Sequence, residues 1–212
     1  MNMRPVPWLC CALLPFPLCA QADSDQPSVT YTDIRGSAPA QNAHIVKYYV
    51  DTASPGSGDE TGNLHILYSD KTDISQTLRP KRKITDDSNH VVYNQKGITD
   101  VKMAPDKRTI GWAENIDNAA TSYSIPYVLA IYRSGKTIMH IQQGQMLWFW
   151  TFRDDGKHIA AVWGPTHGRE VGDYQLYDAR NGRLLSEVFG DPATQSLSAD
   201  APEWAKEAER QK

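Results

Sequence analysis

The sequence predicts an all-β fold of about three four-stranded, propeller-like units followed by a short C-terminal helix, and three observations predict it. First, an apolar strand, a polar turn and a second apolar strand make up Val101-Lys102-Met103-Ala104-Pro105-Asp106-Lys107-Arg108-Thr109-Ile110-Gly111-Trp112-Ala113. The same order returns in Trp150-Thr151-Phe152-Arg153-Asp154-Asp155-Gly156-Lys157-His158-Ile159-Ala160-Ala161-Val162. Second, each copy is followed by another hairpin: Leu129-Ala130-Ile131-Tyr132 with Arg133-Ser134-Gly135-Lys136, and Gln175-Leu176-Tyr177-Asp178 with Arg180-Asn181-Gly182-Arg183. Third, the period is about forty to fifty residues with four strands per unit, the signature of propeller blades.

Taken in order, residues 1–22 carry the pattern of a secretion signal. Arg4 precedes an apolar run from Trp8 to Cys19 that is too short for a stable membrane span, and Ala20-Gln21-Ala22 fits a small-x-small cleavage site. Phe16-Pro17-Leu18 ahead of Cys19 does not match a lipobox. The expected mature chain therefore starts near Asp23. Residues 23–198 form the repeat domain. In the first unit, strands are expected at Ser28–Ile34, His44–Val50, Asn63–Tyr68 and Ile74–Leu78. In the second they are Ile98–Met103, Thr109–Ala113, Tyr127–Tyr132 and Thr137–Ile141, and in the third Leu147–Phe152, His158–Trp163, Asp173–Tyr177 and Leu184–Phe189. Residues 199–212, rich in Ala, Glu and Lys, form a short helical tail with Asp200 as its expected N-cap and Trp204 as its docking residue.

One strand stands out. Met146-Leu147-Trp148-Phe149-Trp150-Thr151-Phe152 is apolar on both alternating faces, with Met146, Trp148, Trp150 and Phe152 on one side and Leu147 and Phe149 on the other. Such a strand has to be covered twice, as a sheet stacked between neighbours would be. Its aromatic residues make it the densest part of the expected core.

Composition excludes several classes. Cys10, Cys11 and Cys19 all lie in the leader, so the mature chain is expected to hold no disulfide and no cysteine-ligated metal. The full chain carries 22 basic and 25 acidic residues, and losing the leader removes only Arg4, which leaves 21 against 25 and a net charge of −4. A mildly acidic balance argues against nonspecific nucleic-acid binding. No later apolar run is long enough to span a bilayer. The six histidines show no zinc spacing, and neither a nucleophile elbow nor a phosphate loop occurs. Asp51–Gly62 is rich in oxygen ligands but lacks the spacing of a calcium loop, and reads as a polar connection. No cofactor, metal or catalytic residue is assigned.

The order of strand, Ala104-Pro105-Asp106-Lys107-Arg108 or Arg153-Asp154-Asp155-Gly156-Lys157 turn, strand, and a hairpin closed by Asn181-Gly182 resembles the WD-like β-propeller repeats of the bacterial periplasmic, TolB-like type. The usual turn in that family reads Ser-Pro-Asp-Gly-Lys. Here Ala104 and Lys107 replace Ser and Gly in one copy, and Arg153 and Asp154 replace Ser-Pro in the other. The match is good over Ile98–Phe189 and loose over Ser28–Leu78. It implies blade geometry and, for most members, a scaffold for protein contacts; some propellers are enzymes. Three units fall short of the usual four to eight blades. The expectation is an incomplete propeller, or one completed by a homo-oligomer, because bare terminal faces would be apolar and seek a partner chain.

Antiparallel strands send the short connections (Ala104–Arg108, Arg153–Lys157, Ser69–Asp73, Arg133–Lys136, Ala179–Arg183) to one rim and the long ones (Asp51–Gly62, Glu114–Pro126, Gly164–Gly172, Arg79–Lys96) to the other. Long loops on a rigid scaffold carry function. The expected partner-binding residues are therefore Asp59, Glu60, Arg79, Lys81, Arg82, Tyr123, His167, Arg169 and Glu170. The Arg79–Lys83 cluster is balanced nearby by Asp86 and Asp87. These features point to a secreted or periplasmic, non-catalytic binding or scaffold protein with a protein partner in the cell envelope. The alternatives are a secreted hydrolase with an acidic or histidine site on the same rim, and an envelope inhibitor or immunity protein.

Overall fold

The computed structural model describes residues 33–56, 60–77, 95–117, 122–133, 136–166, 172–191 and 196–212. Twelve strands occur among them: β1 (Asp33–Arg35), β2 (Ile45–Thr52), β3 (Thr61–Tyr68), β4 (Asp73–Thr77), β5 (Gln95–Met103), β6 (Thr109–Ile116), β7 (Ile125–Arg133), β8 (Lys136–Ile141), β9 (Met146–Arg153), β10 (His158–Gly164), β11 (Asp173–Asp178) and β12 (Leu184–Phe189). One helix, α1 (Glu203–Gln211), ends the chain. The strands form three four-stranded antiparallel sheets, ordered β1-β4-β3-β2, β5-β6-β7-β8 and β12-β11-β10-β9. The expected quartets are therefore present. The expected leader and Ser28–Thr32 lie outside the described residues.

The first sheet departs from a simple meander. β1 pairs with β4 (Ile34 opposite Gln76) rather than with its sequence neighbour β2. Nothing local in the sequence specifies that pairing.

The sheets stack face to face. Ile45, Leu64, Ile66, Tyr68 and Ile74 of the first sheet pack with Ile98, Ile110, Trp112, Ala130 and Tyr132 of the second. On the other face of the second sheet, Ala113, Leu129, Ile131, Met139 and Ile141 meet Leu147, Trp150, Ile159, Ala161, Trp163 and Tyr177 of the third. Every residue of β6 is buried, as expected of a strand in the middle sheet. Gly111 allows this approach: a Cβ there would lie 2.6 Å from Ile131 Cδ1 and 2.7 Å from Trp150 Cη2.

The outer faces correct two expectations. The far face of the third sheet is covered by α1 and not by another sheet: Ala205 and Ala208 sit on Val162 and Tyr174, with Trp148, Phe149, Val188, Leu197 and Trp204 around them. The outward face of the first sheet is mostly polar rather than apolar, presenting Lys47, Tyr49 and Asp51 from β2, His65 from β3 and Asp73 from β4 around a single Leu67. A repeat stack with a helix at one end and a polar face at the other is capped at both ends. The helix also starts later than expected. Pro202 occupies the N-cap position, and Asp200 instead accepts a hydrogen bond from the Ser198 hydroxyl.

β9 is covered on both faces, but its alternation breaks at one residue. Val162 faces Phe149 and Trp163 faces Leu147, so Trp148 is the extra residue of a β-bulge. Trp148 and Phe149 therefore both point towards α1, and Leu147 rejoins Trp150 and Phe152 against the second sheet.

The tight turns explain themselves. Asp106 Oδ1 accepts from the N–H groups of Arg108 and Thr109 at 2.8 and 2.9 Å, which closes the β5–β6 turn. Lys107 there has φ +53°, the left-handed conformation usually filled by Gly. Lys107→Gly is expected to raise stability by about 0.5–1 kcal/mol, relief of side-chain strain outweighing the extra chain entropy. Urea unfolding with an unchanged m-value is the check.

Candidate functional site

The short turns of the three sheets meet at one end. The Ile45 N–H donates to Lys107 O at 2.6 Å, the Ser69 N–H to His44 O at 2.9 Å, and the Ala179 N–H to Lys157 O at 2.9 Å. Gly156, at φ +82°, lies against Ala104, where a Cβ would come within 2.9 Å of the Ala104 Cβ. Asp70 ties the β1–β2 connection into the same end, accepting from the N–H groups of Ala40 at 2.6 Å and Thr72 at 3.0 Å. These two donors, Ala40 first, hold its carboxyl below the ordinary carboxylate range. A depressed acid adds stability that is present above its unfolded pKa and is lost as pH falls through the folded one. The β1–β2 connection is thus expected to loosen below about pH 4, and Asp70→Asn should weaken that acid dependence. Hydrogen exchange at Ala40 across this range is the measurement.

The opposite ends of the strands carry the long connections. Glu60, one of the expected partner-binding residues, sits where the β2–β3 connection meets β5. Its N–H donates to Lys96 O at 2.6 Å, and its Oε2 accepts from Asn115 Nδ2 at 3.5 Å. Asn115 Oδ1 in turn accepts from the Thr99 hydroxyl at 2.9 Å, and Lys96 Nζ lies 3.8 Å from Asp117 Oδ2. Thr61 Oγ1 accepts from the Ile98 N–H at 2.8 Å across the bare Cα of Gly97. Glu60 is therefore part of a polar seam joining the first two sheets. Tyr123, the other described member of the expected set, is 51% exposed just before β7. β7 is rooted there by Ile125 and Tyr127, packed with Ile116 and Met146. Asp59, Arg79, Lys81, Arg82, His167, Arg169 and Glu170 lie outside the described residues, as do Lys83, Asp86 and Asp87.

Sequence reasoning overlooked the residues between the two ends of the β10–β11 connection, Gly164-Pro165 and Gly172. Trp148 lies across Gly164 and Gly172, the two feet of that connection. A Cβ at Gly164 would come 2.2 Å from the Trp148 ring, and one at Gly172 3.2 Å from it. The indole N–H donates to Pro165 O at 3.2 Å. Beside it Gln145 Nε2 donates to Asp173 Oδ2 at 3.0 Å, while burial pushes the Asp173 carboxyl up. The paired glycines were the available signal; they admit the indole of a strand that reads as plain core.

A second polar cluster occupies the outward face of the first sheet. The His65 ring stacks on Tyr49 with centroids 4.8 Å apart and planes 4° from parallel. His65 Nε2 lies 2.9 Å from Asp51 Oδ2, and Nδ1 lies 3.6 Å from Asp73 Oδ1. The carboxylates flank opposite sides of the imidazole, so the three groups do not converge on one point. Among the described residues no set of three His, Cys, Asp or Glu side chains could hold a metal ion, and no helix is long and apolar enough to cross a membrane. No protein-family model matches the chain, and no curated protein matches it either.

Proposed function

We propose that the chain is a secreted or periplasmic scaffold whose three sheets are blades of an incomplete, TolB-like propeller and whose long-loop end contacts a protein partner in the cell envelope without catalysis. The observation that carries this reading is the packing of short turns at one end. At that end the turns are bonded to one another and Asp70 ties down the β1–β2 connection, whereas the β2–β3, β6–β7 and β10–β11 connections depart from the other. Further support comes from β2, β5 and β9, each an edge strand of its sheet, which touch in succession. The Tyr48 hydroxyl donates to Val101 O at 3.4 Å, and Lys102 Nζ donates to Trp150 O at 2.5 Å. The secretion pattern of residues 1–22 supplies the compartment.

The experiment is site-specific photo-crosslinking in cells with the reactive residue at Tyr123 or, on the opposite end, at Lys107. A discrete adduct from position 123 that is missing from position 107 supports the reading. Identical adducts from both positions, or none from 123, would overturn it.

A further inference from the structure

The face of the third sheet that packs on the second carries Asp173, Gln175 and Tyr177 from β11 and, opposite them, Phe189, Glu187 and Leu184 from β12. Tyr177 belongs to the core shared with Met139 and Ile141 of β8. β12 lies beyond that core at the edge of its sheet, and Leu184 and Phe189 there are 43% and 63% exposed. One face of β12 thus presents an apolar, an acidic and an apolar side chain in turn. The strip reaches the long-loop end, where the Gly190 N–H donates to Gly172 O at 3.3 Å beside the foot of the β10–β11 connection.

Asp173 and Glu187 are diagonal neighbours on this face, about 7–8 Å apart at their roots. Each meets only a neutral amide. Gln145 Nε2 donates to Asp173 Oδ2 at 3.0 Å, and Gln175 Nε2 donates to Glu187 Oε1 at 2.5 Å. Among the described residues neither carboxylate forms an ion pair. By contrast Asp100 has Lys102 at 2.7 Å, Asp178 has Arg180 at 3.1 Å and Glu209 has Lys212 at 2.6 Å. Burial, opposed by the Gln145 bond and reinforced by the Glu187 charge, pushes the Asp173 carboxyl up. Two like charges on one face without a counter-ion repel until a cation arrives from outside.

We propose that this strip docks a basic, apolar-flanked segment of the protein partner, with one guanidinium or ammonium group held between Asp173 and Glu187 and against Phe189. This names the partner's chemistry at the long-loop end and rests on the scaffold reading above. Charge complementarity selects the occupant. An anionic segment would meet two carboxylates and, among the described residues, no paired cation. A metal ion would find two carboxylates and, in Phe189, no further ligand. An organic cation finds both charges, and the exposed ring adds a cation–π contact. Arg suits the spacing best, because its donors fan out on two sides and can serve both carboxylates. Leu184 and Phe189 then take the apolar side chains that flank it.

Fluorescence anisotropy of the purified chain with a labelled Leu-Arg-Leu-Arg-Leu peptide and its Leu-Gln-Leu-Gln-Leu counterpart tests this. The Arg peptide is expected to bind, and the Gln peptide about tenfold more weakly. Asp173→Asn with Glu187→Gln should weaken the Arg peptide about tenfold, and Phe189→Ser should weaken it several-fold. Asp155→Asn with Glu203→Gln removes the same charge elsewhere and should change binding by less than about twofold. No binding, equal binding of both peptides, or equal losses in the two double variants would overturn the proposal. Self-association of the chain that is lost in Phe189→Ser would also overturn it, by making a second copy the occupant. If a variant misfolds, the salt dependence of wild-type binding decides. Affinity should fall several-fold from about 0.05 to 0.5 M salt, and constancy overturns the docking. Crosslinking in cells separates the two readings. An adduct from position 123 that persists undiminished in the Asp173→Asn, Glu187→Gln chain leaves the scaffold standing and overturns the strip. A wild type without that adduct overturns the scaffold alone, and the peptides then decide the strip.

Discussion

Trp150→Ala is expected to destabilise the protein by about 3–5 kcal/mol. Trp150 is fully buried between the second and third sheets, edge-on to Phe152 and in contact with the bare Cα of Gly111. Its truncation opens a cavity between two stacked β-sheets, which cannot collapse into it as a loop would. The indole N–H has no hydrogen-bond partner among the described residues, so its contribution is packing. Trp150→Phe should therefore cost much less than Trp150→Ala, because it keeps most of the buried ring and removes an unsatisfied donor. Gly111→Ala, which collides with the ring in the wild type, should cost less in the Trp150→Ala background. A double-mutant cycle by chemical denaturation measures that coupling. Additive effects at 111 and 150 would contradict the stacking of these two sheets.

Ala205→Asp is the second large effect. Ala205 is fully buried where α1 meets Val162 and Tyr174. A carboxylate there would lose its water without gaining a partner. The rim of the helix is held by polar clamps: Arg153 with Glu207, the Tyr174 hydroxyl with Glu209, and Lys212 Nζ with Glu209 at 2.6 Å. Burial, followed by the bond to Glu209, pushes the Tyr174 hydroxyl up. Lys212 Nζ also lies 5.2 Å above the Trp148 ring. The expected loss is about 2–4 kcal/mol, accompanied by a red shift of tryptophan fluorescence as Trp148 and Trp204 meet water. A substitution that left both stability and emission unchanged would show that α1 does not cover the third sheet.

The contrast between β9 and β1 shows how far the fold was legible from the chain. Strand positions follow from apolar runs bounded by Ala104-Pro105-Asp106, Asp155-Gly156 and Asn181-Gly182, because turn chemistry and period act over a few residues. The apolar character of Met146–Phe152 likewise implied a strand covered twice. Whether the second cover was a sheet or a helix was not in that pattern, since both bury the same surface. The bulge at Trp148 was hidden for a related reason: an extra residue is set by pairing with Val162 and Trp163, and only the glycines at 164 and 172 hint at it. The union of β1 with β4 joins residues more than one hairpin apart and has no local signature. The polar face of the first sheet could have been read from Lys47, Tyr49 and Asp51 alternating with Tyr48 and Val50. The assumption that every sheet in a stack is apolar on both sides obscured it. At the site, Glu60 and Tyr123 were found by loop length alone, which selects exposed stretches and is blind to seams such as Asn115 with Thr99.

The β1–β4 pairing has a kinetic consequence. Asp33 faces Thr77 across an intervening chain that must first fold into its own two strands. Ring closure over that separation is costly in entropy, and three residues of ladder return little for it. This corner of the protein is thus expected to be the last captured when the chain collapses and the first surrendered when it opens, and a protease should enter there while the second and third sheets are still intact.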